Sequence, residues 1–270
     1  MMPNTPSLKW NKYFLAGLIM TGLAVLLGLL GFFWTPYSPT AMSAERFSSP
    51  TLSHLFGTDN FGRDIFSRVM QGMGTTILIS ALVVLISAFI GILLGALTGY
   101  FGGIIDELVM RFTDALNGFP SILLALVVIS VLGNGRQNLI LSLGIVFTPS
   151  YVRIVRSEYM RLRDADYIKR ARLMGVGRLR ILFVHILPNI LPVFWVSVMI
   201  GLNNAILAES GMSYLGIGVQ PPDASLGNML SDAQGYLQSA PWYALAPGLT
   251  IVWIVLGFSL FSEGIRRLGE

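Results

Sequence analysis

Residues 74–100 read GTTILISALVVLISAFIGILLGALTGY, a stretch of 27 residues without one charged side chain. As a helix it would reach about 40 Å, more than the roughly 30 Å of hydrocarbon in a bilayer. Inside lipid every backbone N–H and C=O has to be paired within the protein, and a helix does that by itself. The reading is therefore a membrane-spanning helix. Gly91, Gly95 and Gly99 recur every fourth residue and leave one smooth face that another helix backbone can approach closely. Whether that face packs within the chain or against a second subunit is open on sequence alone.

Working outward, four further uncharged runs are long enough to cross: 13–35, 115–135, 186–208 and 233–262. A shorter run, 137–152, contains Pro149 and is read as a sixth span with Tyr151 and Arg153 at the interface, where the arginine snorkels. The chain is thus expected to be an all-α polytopic membrane protein of six transmembrane helices, one membrane domain over 13–262. Segments 1–12 and 263–270 flank it, an outer segment covers 36–73 and an inner loop 153–186. The first run is longer than the roughly 7 to 15 apolar residues of a secretory signal, so it reads as an uncleaved anchor. No internal repeat divides the chain.

Charge fixes the orientation. With both termini inside, 14 of the 18 Lys and Arg fall on the inner side, Lys9 and Lys12 among them, and only Arg46, Arg63, Arg68 and Arg136 lie outside. That satisfies the positive-inside rule. The net charge of +4 therefore reports topology rather than nucleic acid. Charged residues make up 12% of the chain, about half the share of a soluble domain, which excludes an ordinary soluble enzyme. The absence of cysteine excludes thiolate chemistry and Cys-ligated metal, and no phosphate loop of the Gly-x-x-x-x-Gly-Lys-Ser/Thr type occurs. No metal site is expected.

Several segments could carry function. In the outer segment, Phe61, Ile65, Phe66, Val69 and Met70 share one side of a short interfacial helix, with Asp64 and Arg68 paired at i,i+4 and Asp59 as its N-cap. At the inner end of the third span, Glu107 can pair with Arg111, and Arg111 with Asp114. Asn203, Asn204 and Glu209 place polarity on the fifth span. A carboxylate at the end of an uncharged run costs a few kcal/mol unless it faces a cavity, a partner or a helix terminus. A packing hydrogen bond and a place on a solute path are both open there.

The inner loop is the most informative segment. Asp164 and Asp166 are N-cap candidates, Tyr167, Ile168, Ala171 and Met174 form an apolar stripe, and Gly175 suits a left-handed C-cap. A second short helix fits 178–184. Two small helices with a basic face make either a docking surface for another protein or an attachment to anionic lipid.

Lys169-Arg170-Ala171, Gly175, then His185-Ile186-Leu187-Pro188 resembles the Glu-Ala-Ala loop of ABC importer permeases. Residues 54–64 (HLFGTDNFGRD), 99–103 (GYFGG), 119–121 (FPS), 213–218 (SYLGIG), 220–222 (QPP) and Pro241-Trp242 narrow the resemblance to the dipeptide, oligopeptide and nickel permeases. It covers nearly the whole chain. Lys169 and Arg170 replace the usual Glu and first Ala of the loop, and an Asp166–Arg170 pair could substitute for the lost salt bridge. Near the last helix, Ser259 and Ser262-Glu263 stand where the family usually has Asn and Gly-Asp.

The resemblance implies a type I importer permease in a bacterial or archaeal inner membrane, surrounded by lipid and working by alternating access. It implies a second homologous permease, two ATP-binding subunits that hold ATP and Mg, and an extracytoplasmic solute-binding protein. The coupling surface would then comprise Tyr167, Ile168, Lys169, Arg170, Ala171, Gly175, His185, Leu187 and Pro188. The solute would be a peptide, nickel or a metal chelate. An intramembrane enzyme lacks the residues it needs, since His54 and His185 are the only histidines and both fall at loops. An ion-gradient-driven secondary transporter could use Glu209 but would leave the basic loop without a role.

Overall fold

The computed structural model describes residues 12–268. Lys9 and the rest of the segment before Lys12 lie outside the described residues, as do 269 and 270. Among the described residues there is no strand beyond an isolated bridge between Thr58 and Asp64. Among them five helices are long and apolar enough to cross a membrane, and there are six spans if a bent pair of shorter helices counts as one. The described residues divide into two compact units, one formed by residues 12–75 and 224–268, the other by residues 76–223.

The first unit contains α1 (Lys12–Phe33), the start of α2 (Ile65–Phe101), α9 (Leu226–Ala233) and α10 (Pro241–Leu268). α1 packs along α10, with the rings of Phe14 and Phe261 5.4 Å apart. The interfacial helix expected before the second span does not exist as a separate element. Its residues are the first turns of α2, and Ile65, Val69 and Met70 are buried. Asp64, not Asp59, caps this helix: one of its oxygens accepts from the Ser67 backbone N–H and hydroxyl, both at 2.7 Å. Its other oxygen lies 2.9 Å from His54 Nδ1, so the expected Asp64–Arg68 pair is not made.

Asp59 instead closes a buried ionic cluster. It accepts from the backbone N–H groups of Phe61 and Arg63 at 2.8 and 2.9 Å and from Arg63 Nε at 2.6 Å, and Arg68 Nε lies 3.7 Å away. Asp232 of α9 approaches both guanidinium groups at 3.8 Å. Burial pushes the Asp232 carboxyl above its ordinary pKa, while Arg68 and Arg63 pull it back. The run 233–262 read as one span is divided: Ala233 ends α9, and Pro241, which has no N–H to give, starts α10.

The second unit contains the rest of α2, α3 (Gly103–Asn117), α4 (Ser121–Leu132), α5 (Arg136–Arg163), α6 (Asp166–Leu173), α7 (Arg178–Arg180) and α8 (Leu187–Tyr214). The expected single span 115–135 is a pair bent by 96°. Pro120 causes the break, because it lacks a donor and disfavours helical geometry at Phe119. Alone, the 12 residues of α4 would reach only about 18 Å.

α5 runs eleven residues past the expected end at 152, because its first charged turns find partners on α3. Arg156 holds Asp106 through two bonds of 2.5 and 2.7 Å, and Arg153 reaches Asp114 at 2.9 Å. Arg111 pairs with Glu107 at 2.5 Å as expected, but Asp114 is engaged by Arg153 rather than by Arg111.

The glycine face of α2 packs within the chain. A Cβ at Gly95 would fall 2.7 Å from Val155 Cβ, one at Gly99 2.7 Å from Tyr159 Cβ, and one at Gly91 would collide with Tyr151. α2 and α5 therefore lie close together along three turns. Ser87 adds a hydroxyl hydrogen bond to the Gly144 carbonyl at 2.9 Å.

The ionic cluster of the first unit yields a stability prediction. Asp59→Ala leaves two buried guanidinium groups without their shared carboxylate and is expected to cost about 3–5 kcal/mol. Asp232→Asn, whose side chain is 31% exposed and 3.8 Å from either arginine, should cost about 1 kcal/mol or less. Thermal unfolding of the purified protein in detergent compares them; equal losses would contradict the assignment of Asp59 as the central anion.

Candidate functional site

The loop 153–186 is built from helix ends. α6 has Ala165 at its N-cap, with no side-chain cap from Asp164, and Asp166 is its first residue. At its other end the backbone bonds Val176 N–H to Ala171 C=O and Gly175 N–H to Arg172 C=O close a Schellman turn. Gly175 sits at φ +80°, a left-handed conformation that β-branched side chains resist. Asp166 pairs with Lys169 at 3.6 Å rather than with Arg170.

The apolar stripe expected on α6 is narrower than its sequence suggests. Ile168 and Ala171 are buried, while Tyr167 and Met174 face outward. Lys169, Arg170, Gly175 and Pro188 are exposed, and His185 and Leu187 are half-buried. Leu173, at 88% exposed, and Leu179, at 68%, join Met174 to leave an uncovered apolar set beside the basic residues. The sequence reading overlooked both leucines. An apolar residue next to a helix break carries no sign of which way it points.

α7 continues through a π turn, Ile181–Ile186, into α8. The wider turn lies directly before Pro188, whose ring would collide with the Val184 carbonyl in a regular helix and which offers that carbonyl no N–H. Asn189 Nδ2 donates to the His185 carbonyl at 2.6 Å and secures the junction. Ile181, Leu182 and Ile186 are buried, and the Tyr159 hydroxyl donates to the Leu182 carbonyl at 3.1 Å.

Cationic side chains tie this loop to the end of α2. Arg163 donates to the Gly99 carbonyl and Arg172 to the Arg163 carbonyl, each at 3.2 Å, and the Arg172 guanidinium lies 5.2 Å from the centre of the Tyr100 ring. A cavity of about 500 Å³ opens between these groups, lined by Tyr100, Phe101, Arg172 and Arg178. The loop is thus a short stiff element, pinned on its inner side and presenting basic and apolar side chains on its outer side.

The three polar residues of the fifth span go to different places. Glu209 lies within α8, which continues to Tyr214, and is fully buried. Its carboxylate accepts from the Ser213 hydroxyl at 2.8 Å, and Ser213 Oγ accepts from the Val219 N–H at 3.2 Å. Glu209 therefore anchors the turn that follows its own helix. Asn204 is exposed and stands in the wall of two cavities, one bounded by α3, α4, α5 and α8 and the other by α5 and α8. Asn203 is half-buried and stands in neither wall. Ser150, missed in sequence because it follows Pro149 at the end of the shortest run, lines both cavities. Among the described residues no three His, Asp or Glu side chains gather to hold a metal ion.

Comparison with known proteins agrees with this architecture. Residues 91–268 match the family described as binding-protein-dependent transport system inner membrane component. The dipeptide transport system permease protein DppC of Haemophilus influenzae is 37% identical over 265 residues, covering 96% of this chain and 90% of that protein. DppC of Alkalihalophilus pseudofirmus is 39% identical over 261 residues, covering 96% and 86%. A chain of the MetNI methionine ABC transporter, in an inward-facing conformation, superposes with a TM-score of 0.59 over 74% of this chain and 95% of that one. At 19% identity that likeness shows the fold, a type I importer permease.

The chain belongs to the binding-protein-dependent transport system inner membrane component family. It is a multi-pass permease, a transport subunit of an ATP-binding-cassette importer.

The burial of Glu209 sets up a comparison of two substitutions. Glu209→Gln keeps an acceptor for the Ser213 hydroxyl and should preserve folding. Glu209→Leu leaves the Ser213 hydroxyl without that acceptor and is expected to cost about 1–3 kcal/mol. Detergent-solubilised melting curves measure both, and a Leu variant as stable as the parent would show that the carboxylate does not anchor the turn.

Proposed function

We propose that this chain is the permease of a peptide importer, receiving its solute from a binding protein outside and its driving force from two ATP-binding subunits inside. The observation that carries the reading is the pinned loop 153–186, together with relatives named as dipeptide permeases. Nickel and metal chelates have no comparable support among those relatives, and neither has an ion-gradient mechanism.

In this reading ATP and Mg are held by the partner subunits, and a second homologous permease completes the pathway. Tyr167, Lys169, Arg170, Leu173 and Met174 present the surface that meets an ATPase. Ile168 and Ala171 fix α6 from beneath, and Gly175 aims it. His185, Leu187 and Pro188 join the loop to α8, so a push on α6 and α7 is passed to the helix that carries Asn204. Nucleotide binding then shifts the permease between inward-open and outward-open states by its differential affinity for the two. Both termini lie on the inner side, and the anionic lipid of that leaflet adds attraction without replacing the docking role.

Reconstitution of the chain with its partner permease, ATPases and binding protein in proteoliposomes tests the reading. ATP hydrolysis should require the whole complex and be accompanied by uptake of labelled dipeptide. Gly175→Val should re-aim α6 while leaving the spans intact, so that ATP is hydrolysed with little uptake or the complex assembles poorly. Lys169→Ala should matter less. Full coupling in Gly175→Val would reduce the loop to a lipid attachment.

A further inference from the structure

The two cavities bounded by α5 and α8 share three side chains. Phe147, Ser150 and Asn204 stand in the wall of one of about 320 Å³ and also of one of about 130 Å³. Asn117 and Ser121 add polar groups to the first, Tyr151 and Ser197 to the second. None of the residues lining either cavity carries a charge. The larger volume falls at the low end of the range for small-molecule pockets.

Tyr151 supplies an independent observation. Its side chain is 3% exposed, and its hydroxyl has no hydrogen-bond partner in the protein. The residue is held on several sides: its ring lies 6.1 Å from that of Phe194, and its Cβ packs against Gly91. The hydroxyl ends against Gly201, where a methyl group would occupy its place. Gly201 and Tyr151 both line the smaller cavity. A buried hydroxyl left without a partner is unfavourable, and phenylalanine would fill the same space without that cost. A packing role alone therefore does not explain this tyrosine.

We propose that Ser150, Asn204 and the Tyr151 hydroxyl form a charge-free hydrogen-bonding site that takes the peptide bonds of the solute. This rests on the peptide-import reading and deepens it. Once α5 and α8 part at Gly201 and uncover it, the Tyr151 O–H donates to a main-chain carbonyl, and the Asn204 carboxamide both donates to and accepts from an amide, matching its two halves. Neutral partners suit the task. A fixed charge would hold one terminus of a zwitterionic solute and repel the other, whereas a passage site has to release what it binds. Peptide bonds are common to every side chain and length, so such a site selects a class of solute rather than one member.

The test uses the complete transporter with binding protein in proteoliposomes, a labelled dipeptide, and the same dipeptide with an N-methylated peptide bond. Tyr151→Phe should assemble, melt at the same or a higher temperature and hydrolyse ATP at the parental rate. Its uptake per ATP should nevertheless fall about 3- to 10-fold, the loss of one hydrogen bond. The parent should prefer the unmodified dipeptide, and Asn204→Leu should lose that preference. Unchanged uptake per ATP in Tyr151→Phe, or unchanged preference in Asn204→Leu, overturns the site while leaving peptide import intact. A parental complex that hydrolyses ATP but takes up no peptide would instead overturn the import reading, and the proposal with it.

Discussion

The close approach of α2 and α5 is the contact on which the second unit depends. In a membrane, helices gain little from hiding apolar surface from one another, because lipid is just as apolar, so association rests on packing and on hydrogen bonds between them. Gly91, Gly95 and Gly99 remove the side chains that would hold the two backbones apart. Tyr151, Val155 and Tyr159 of α5 fill the space so made. Because the three contacts cover three successive turns, α5 is fixed in rotation as well as in distance, and every other face it presents is thereby aimed.

That aim has consequences in two directions. Ser150 and the Tyr151 hydroxyl are placed toward α8 and its Gly201, where the cavities open. Further along the same helix, Arg156 meets Asp106, and Arg163 bonds to the Gly99 carbonyl at the end of the seam. The inner loop therefore starts from a fixed post. It returns to the membrane through a π turn and α8, the helix that bears Asn204 on the opposite wall of the cavities. In the proposed function, a loop held at both ends by helices that line these cavities is what connects the ATPase-facing surface mechanically to the solute path.

Much of this was legible in the residues and some was not. Charge-free runs located the spans, the four-residue glycine spacing located the seam, and Gly175 located the end of α6, because each depends on chemistry local in sequence. Pro120 also acts locally, yet its effect was hidden: a proline in an apolar run can kink a span, as Pro149 stands inside α5, or break it by 96°, and packing decides which. The pairings of Asp106, Asp114 and Asp232 were misread or invisible because nearest-neighbour rules favour partners three or four residues away, while Asp59, whose partner Arg63 does stand at i,i+4, was read as a helix cap. Their observed partners include Arg156, fifty residues from Asp106, and Arg68, on a different element from Asp232. Tyr151 looked like an interfacial aromatic. Only the position of Gly201 beyond its hydroxyl shows that it is enclosed.

The central claim is that the cavity at Ser150 and Asn204 opens to one side of the membrane at a time under control of nucleotide at the inner loop. The chain has no cysteine, so a single introduced thiol can be read without background. The most direct measurement is maleimide labelling of Ser150→Cys and Asn204→Cys in the reconstituted complex, with reagent supplied from one face or the other. Both positions should label from the inner face without nucleotide and from the outer face alone when ATP and vanadate trap the closed ATPase. Labelling from the same face in both states, or from neither, would contradict the account.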